Sequence, residues 1–191
     1  LIALAGSAVI RGIVNTYTEF ESFRTVLTTF LGSAELAEQR LKGLTILADK
    51  LPQDLADLTG AFVILTRNGI SAGVDSLTAF SNVATANNKT FTQLSEAIAD
   101  ALTGQFERLK EFGIRVSQEN DKFVLNMADG SKKVVNSSRE VVEAVKAIGA
   151  EGGAFADAAK NNADTLSQAF SNLQGKVAAA KVAFMDELKP A

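Results

Sequence analysis

Apolar residues recur every three or four positions through most of the chain, which is the spacing of one face of an α-helix. The clearest run steps by 4, 3, 4 and 3 along Ala37, Leu41, Leu44, Ala48 and Leu51. The same spacing predicts further helices around Leu55–Leu65, Leu77–Ala84, Phe91–Ala101 and Val141–Ile148. The chain is therefore expected to be built mainly from short amphipathic helices.

Several residues at the ends of these runs are typical helix boundaries. Pro52 is expected to end one helix and to fit the first turn of the next. Asn68-Gly69 and Gly149 are expected to close helices. Thr90 with Gln93, and Ser137 with Glu140, have the spacing of a capping box at a helix start.

Two segments near the N-terminus are less regular. Residues 1–17 are apolar and predict a helix. Residues 20–31 are ambiguous, because the phenylalanines and Leu27 suit a helix whereas the threonines and Val26 suit a strand.

The stretch Thr103–Gly130 combines a helix, a glycine stop and a change of period. Phe106 and Leu109 lie at helical spacing, and Gly113 is expected to take the left-handed conformation that ends a helix. Beyond it, apolar residues alternate with others at Phe123, Leu125 and Met127.

Alternation of this kind predicts a strand, and a turn signal follows it. Asp129-Gly130 is expected to form a primed two-residue turn, which requires positive φ at both positions. Lys132–Val135 is then the returning strand. The sequence therefore predicts a small antiparallel β-hairpin within about 114–135.

The C-terminal stretch carries a heptad pattern that predicts an amphipathic helix. Its apolar positions step by 4, 3, 4, 3 and 4, and we call them the seam: Leu166, Phe170, Leu173, Val177, Ala180 and Phe184. Such a stripe must be covered, either by the same domain or by another chain. We expect self-association through the seam, with an intramolecular dock as the alternative.

The predicted fold class is mainly α, with several short packed helices, an inserted β-hairpin and a C-terminal heptad-patterned helix. The predicted divisions are an apolar N-terminal helix at 1–19, a helical domain with the hairpin at 20–150, and a hinge followed by the amphipathic helix at 151–191. Gly152-Gly153 is the expected hinge, because adjacent glycines are the least restricted backbone in the chain.

The amino-acid composition limits the chemistry that the side chains can perform. The chain has 191 residues, no cysteine and no histidine, so disulfides, thiolate metal sites and histidine bases are excluded. Its formal net charge is −3, from 19 basic and 22 acidic residues spread along the chain, with no basic block of the kind that binds duplex DNA. We expect no catalytic, cofactor-binding or metal-binding residues and no sequence-specific contact with nucleic acid.

The first ten residues, Leu1–Ile10, are uncharged and end at Arg11. Such a run is too short to span a membrane and is typical of a buried or interfacial helix. The chain begins with Leu1 and not with methionine, so we expect a piece of a longer protein, and the run can also be the tail of a longer apolar helix.

Beyond these patterns, the residues resemble a known family. The motif GQFERLKEFGI, followed by a short hairpin, is similar to the shared domain of tail tape measure proteins of long-tailed bacteriophages and prophages. The similarity extends upstream through FLGSAELAEQRLKGLTILADKLPQDLADLTGAFVILTRNGI and downstream to DTLSQAFSNLQGKV. It covers roughly Phe20–Val177, with the motifs in the same order.

The resemblance implies a structural virion protein and no reaction. Proteins of this family set tail length during assembly, lie in the lumen of the tail tube or at the tail tip, and take part in genome ejection. The implied partners are other copies of the chain, tail tube proteins and tail-tip or baseplate hub proteins, with possible contact with the host membrane at ejection. The implied location is the virion, and the host cytoplasm during assembly.

Two alternatives stay open. One is a hydrolase module, since some tape measure proteins resemble carriers of cell-wall hydrolases; the absence of His and Cys argues against it for these residues. The other is a membrane-active, pore-forming helical protein that acts at the host envelope during DNA delivery, which the apolar Leu1–Ile10 segment favours.

Overall fold

A computed structural model describes residues 19–127 and 130–165, and within them most of the chain is helical. Residues 19–31 form helix α1, so the ambiguous segment is a helix. The helices that follow are α2 (Ala34–Ala48), α3 (Leu55–Arg67), α4 (Val74–Ala86), α5 (Phe91–Leu102), a 3₁₀ helix (Glu107–Phe112) and α6 (Ser138–Gly149). Residues 158–165 are helical as well and are called α7.

Three antiparallel strands lie between the 3₁₀ helix and α6. They are β1 (Ile114–Glu119), β2 (Lys122–Met127) and β3 (Lys132–Val135), in the spatial order β1-β2-β3. The predicted pairing of the second and third strands is confirmed. The structure also contains strand β1, which was not predicted. The inserted element is therefore a three-stranded sheet and not a single hairpin.

The two turns of this sheet differ from the predicted turn. Asn120 and Asp121 connect β1 to β2 with φ of 48° and 61°, so the two-residue turn with positive φ at both positions lies here. At the second connection, the Gly130 N–H donates to the Met127 carbonyl and the Met127 N–H to the Ser131 carbonyl, both at 3.0 Å.

These two bonds close a loop of three residues between Met127 and Ser131, so the prediction of a two-residue turn there is wrong. Gly130 has φ of 82°, which suits the left-handed last position of a three-residue loop. Asp129 lies outside the described residues.

Helix α5 is the centre of the core. It packs against α3, α4, α6 and the 3₁₀ helix. Its buried side chains include Phe91, Leu94 and Ile98, none of which is exposed. Apolar and small residues therefore lie on several sides of α5, because it has neighbours on several sides.

The motif GQFERLKEFGI contains a 3₁₀ helix instead of a longer amphipathic helix. Three residues make one turn of a 3₁₀ helix, so residues three apart share a face. Leu109 and Phe112 lie on that face and are buried, and the partly buried Phe106 precedes them. The three-residue spacing fits this tighter helix as well as it fits an α-helix.

One further boundary differs from the predicted one, and one agrees with it. Pro52 lies in neither helix, because α2 ends at Ala48 and α3 begins at Leu55 with Asp54 as its N-cap. Gly149 is the last residue of α6, and an ideal Cβ there would lie 1.9 Å from the Ala79 carbonyl oxygen. Glycine is therefore needed at this position because α4 and α6 approach closely.

The expected hinge at Gly152-Gly153 is a hydrogen-bonded turn. The Gly153 N–H donates to the Ala150 carbonyl and the Phe155 N–H donates to the Ile148 carbonyl, both at 2.9 Å. An ideal Cβ on Gly153 would lie 2.3 Å from the Ile148 oxygen. The turn lies closely against the end of α6, and its action as a hinge stays a prediction.

Candidate functional site

The structure places the sequence-predicted residues in different parts of the molecule. Gly113 follows the 3₁₀ helix with φ of 70° and ψ of 17°, which is the left-handed region. Gly130 lies in the β2–β3 loop. Asp129 and the six seam residues, which are Leu166, Phe170, Leu173, Val177, Ala180 and Phe184, lie outside the described residues.

Gly113 joins the 3₁₀ helix to the sheet. Its N–H donates to the Lys110 carbonyl at 3.1 Å, and the residues on both sides of it, Phe112 and Ile114, are each 1% exposed. Phe106 and Phe123 meet edge to face, with ring centroids 5.1 Å apart. The apolar contacts hold the sheet against the helices, which is a structural role.

Ion pairs tie the same 3₁₀ helix to its neighbours. Arg108 donates to Glu96 at 2.6 Å and lies 3.5 Å from Asp100, and the hydrogen bond to Glu96 raises the pKa of the Arg108 guanidinium. Lys89 contacts Glu111 at 2.7 Å, and this hydrogen bond lowers the pKa of the Glu111 carboxyl. All these side chains are at least 31% exposed, so each pair stabilises the fold only modestly.

Three polar side chains connect elements that are distant in sequence. The Asp57 carboxylate of α3 accepts the N–H groups of Phe91 and Thr92 at 2.8 Å each, at the start of α5. The same start has the complete capping box predicted from Thr90 and Gln93. The N-terminal N–H groups of α5 are therefore satisfied by protein groups.

Gln53 and Asn82 make the other two connections, both to or from α4. Gln53 donates to Thr85 at 2.9 Å and accepts from Ser81, which fixes the loop after α2. Asn82 donates to the Gly149 carbonyl at 2.8 Å and accepts the Ala159 N–H at 2.9 Å. Asn82 thereby holds the end of α6 and the start of α7.

An open concave surface of about 610 Å³ lies between α2, α4 and α7, and we call it the α2–α4–α7 cleft. Val74, Thr78 and Asn82, at a spacing of four residues, form its floor along one stripe of α4. The wall from α2 and the loop after it is formed by Gly43, Ile46, Leu47, Asp49, Lys50 and Leu51. The opposite wall is formed by Asp157, Lys160, Ala163 and Asp164.

The cleft exposes apolar side chains of two helices, α4 and α2. Val74 is 62% exposed and Ile46 is 49% exposed. Ile46 also borders a second, apolar groove between α1 and α2, of about 440 Å³, into which Phe20 and Leu41 face. The two grooves therefore meet at Ile46, at the C-terminal end of α2.

A third concavity, of about 750 Å³, is polar and lies where α3 approaches α5. Its lining includes Gln53, Asp57 and Gln93, whose side chains already make the hydrogen bonds that cap α5 and fix the loop before α3. Because those groups have protein partners, this concavity is explained by the packing of the helices.

Within residues 19–127 and 130–165, no group of three or more His, Cys, Asp or Glu side chains is placed to hold a metal ion. In that same part of the chain, no helix combines the length and the apolar character needed to cross a membrane.

The fold thus defines a mainly helical protein with a small three-stranded antiparallel sheet and an apolar cleft between helices. A scan against models of protein families, a search of curated proteins and a search of solved structures each give no match.

The candidate surface was missed by sequence reasoning. Ile46 lies outside the regular apolar stripe of α2, and a single apolar residue outside such a stripe is a weak signal of an exposed contact. Val74 precedes the first predicted apolar position of α4, Leu77. Nothing in the local pattern indicates that α2 and α7 lie on either side of α4.

Proposed function

We propose that this chain is part of a tail tape measure protein of a long-tailed bacteriophage or prophage. In this proposal it is a structural protein of the tail tube lumen or tail tip that helps to set tail length and takes part in genome ejection. The observation that carries the proposal is the resemblance of GQFERLKEFGI, with the hairpin after it, to the shared domain of that family.

Helix length indicates which part of that role fits the described residues. A helix rises about 1.5 Å per residue, so a ruler needs long continuous helices. Among the helices with both ends described, α2 is the longest, with 15 residues, or about 22 Å. We therefore assign these residues to a packed module that anchors the protein to its own copies or to tail-tip proteins.

The location is testable with a short epitope inserted between Asn120 and Asp121, two exposed residues at the tip of the β1–β2 turn. Tails would be purified from the strain that encodes the chain and imaged by cryo-electron microscopy with an antibody fragment against the epitope. We expect the tagged chain in tail particles after the tip is opened, with untagged tails as the control. Purified, infectious phage particles whose tails lack the chain would refute the proposal.

The expected partner within the tail is another copy, bound through the seam. Phe170→Glu with Val177→Glu places charges on the apolar stripe while leaving its helical propensity nearly unchanged. We expect sedimentation to shift from oligomer to monomer while far-UV circular dichroism stays the same. A parent chain that is monomeric at high concentration would contradict self-association, and collapse of the fold in the variant would favour an intramolecular dock.

The module is proposed to have no catalytic centre. The support is the lack of histidine and cysteine, which removes the commonest general base and the thiol nucleophile, and the protein partners of the Asp57 and Glu96 carboxylates. Hydrolysis of peptidoglycan or peptides by the purified chain that is lost on mutation of a single residue would overturn this.

The apolar Leu1–Ile10 segment favours a second candidate, a membrane-active protein at the host envelope. Dye release from liposomes tests it. Release by the parent that Leu4→Glu with Val9→Glu abolishes would support membrane activity. If the chain at micromolar concentration neither binds the liposomes nor releases the dye, only the scaffolding role remains.

A further inference from the structure

The α2–α4–α7 cleft has the features of a docking site for a short apolar segment. Its volume of about 610 Å³ lies within the range of roughly 300–1,000 Å³ that is typical of binding pockets. Helix α4 forms its floor, and α2 and α7 form most of its two walls, as in grooves that accept an apolar segment. Val74 and Ile46 are among the most exposed large apolar side chains in the described part of the chain.

The N-terminus of the described chain lies beside this cleft. Phe20, in the first turn of the described helix α1, lines the α1–α2 groove together with Thr45 and Ile46 of the last turn of α2. Ile46 also lines the cleft. Residues 1–18 therefore join the described chain at the rim of the cleft.

Residues 1–18 contain a segment that suits the cleft and a connection that can reach it. Leu1–Ile10 is uncharged, and Gly12 and Asn15, which favour turns, lie between it and α1. Eight residues, 11–18, can extend over about 25 Å. This is more than enough to return the apolar segment to a surface that begins next to residue 20.

Charge agrees with this occupant. Arg11 is the single charged side chain among residues 1–18. The cleft walls carry three carboxylates, Asp49, Asp157 and Asp164, against the two ammonium groups of Lys50 and Lys160. An apolar segment followed by one arginine thus matches a cleft that offers Val74, Ile46 and Leu47 and has a slightly acidic rim.

The C-terminal seam is a poorer match for the same surface. It follows α7, which is itself a wall of the cleft, so the chain would have to reverse direction after Thr165 to enter it. Residues 154–174 contain neither glycine nor proline, the residues that most favour such a reversal.

We propose that Leu1–Ile10 docks in the α2–α4–α7 cleft of the same chain and covers Val74 and Ile46. The docking does not depend on the proposed tail function. It gives the apolar segment a partner within the protein, and a membrane or a second copy would have to compete with the cleft for it.

Thiol labelling of the full chain tests the proposal, because the chain has no cysteine of its own. Val74→Cys places one thiol in the cleft, and Val134→Cys places one on the solvent face of β3, where the valine is 58% exposed. Each is made in the parent chain and in a chain with Leu4→Glu and Val9→Glu. Circular dichroism and thermal melting of each variant show that the fold is kept.

We expect Cys at 74 to react at least about tenfold more slowly in the parent than in the glutamate background, as for a segment that is docked most of the time. The thiol at 134 should react equally in both backgrounds. Equal rates at 74 in the two backgrounds would overturn the proposal. A slow rate at 74 that Phe170→Glu increases, but that Leu4→Glu with Val9→Glu leaves unchanged, would also overturn the proposal. The seam would then be the segment that occupies the cleft.

A crosslink distinguishes the same chain from a second copy. With Val9→Cys and Val74→Cys together, mild oxidation should join the two thiols within one chain and leave a monomer on a non-reducing gel. A predominantly dimeric product, or protection that increases with protein concentration, would refute docking within the chain.

Discussion

Helices α4 and α6 approach so closely at Gly149 that replacing this glycine by alanine should destabilise the protein. An ideal Cβ at this position lies 1.9 Å from the Ala79 carbonyl oxygen and 2.9 Å from Val83 Cγ2. The nearest atom belongs to the backbone of a helix, so it cannot rotate away. The helices would have to separate by more than an ångström to restore ordinary contact.

The change in the free energy of unfolding is the sum of three contributions. Forcing an extra methyl into a packed contact costs about 1–3 kcal/mol. The buried hydrogen bond from Asn82 to the Gly149 carbonyl would be strained, at a cost of about 1 kcal/mol. Alanine gains up to about 1 kcal/mol over glycine in helix propensity. Together these contributions predict that Gly149→Ala lowers the free energy of unfolding by about 1–3 kcal/mol.

Urea unfolding followed by circular dichroism measures this change. For a domain of this size the midpoint should fall by about 1 M. Gly43→Ala is the matched control, because Gly43 lies inside α2 and an added Cβ would meet no atom within 4 Å. That control should raise stability by about 0.5–1 kcal/mol. A Gly149→Ala midpoint equal to or above the parent's would refute the close-approach argument, as would an equal loss in both variants.

Three further changes test local contacts. Gly113→Ala should cost about 1 kcal/mol in urea unfolding, because alanine is strained at φ of 70°, and unchanged stability would contradict this. Asp57→Ala removes the acceptors of two N–H groups of α5 and should cost about 1–2 kcal/mol, whereas a neutral effect would mean that water replaces them. Lys89→Met should raise the pKa of Glu111 in an NMR titration, because the hydrogen bond from Lys89 is the largest cause of its lowering. Since the pKa of Glu111 is lowered in the folded state, the pair stabilises the fold above the ordinary glutamate pKa and loses this effect as the pH falls through the folded pKa. An unchanged Glu111 titration in Lys89→Met would refute the assignment.

Features that depend on neighbours within a few residues could be predicted from the sequence. The capping box of Thr90 and Gln93 forms with both of its reciprocal hydrogen bonds. The left-handed stop at Gly113 and the helix closed at Asn68-Gly69 lie where glycine chemistry places them. In each case the groups that form the boundary lie within about one helical turn of each other, so the signal is contained in the local pattern.

Strand β1 was missed because its pattern is weak. In Ile114–Glu119, only Ile114 and Val116 are apolar at alternate positions, and the remaining residues are polar or charged. The turn after it uses Asn120-Asp121, a less specific signal than Asn-Gly or Asp-Gly. The stronger signal at Asp129-Gly130 drew the prediction of a two-residue turn to the wrong connection of the sheet.

The candidate site could not be predicted, because it is made by contacts between distant residues. Asn82 bonds to Gly149 and Ala159, which are 67 and 77 residues away. An asparagine inside a helix is ordinarily read as a solvent-facing residue. A single sequence gives no indication of which two segments such a side chain will join, so neither the tight fit of Gly149 nor the walls of the cleft could be derived.

The same polar contacts explain why the cleft is open before anything occupies it. The loop after α2 is fixed to α4 by Gln53, which bonds to Ser81 and Thr85, and α7 is fixed to α4 by Asn82. Both walls are therefore tied to the helix that forms the floor, through residues within about one turn of each other. Helix α4 is in turn packed on α5 and α6, so the spacing of the walls is set by the core. An occupant of the cleft then orders mainly itself on binding, which lowers the entropic cost of docking and lets a segment as short as ten residues bind.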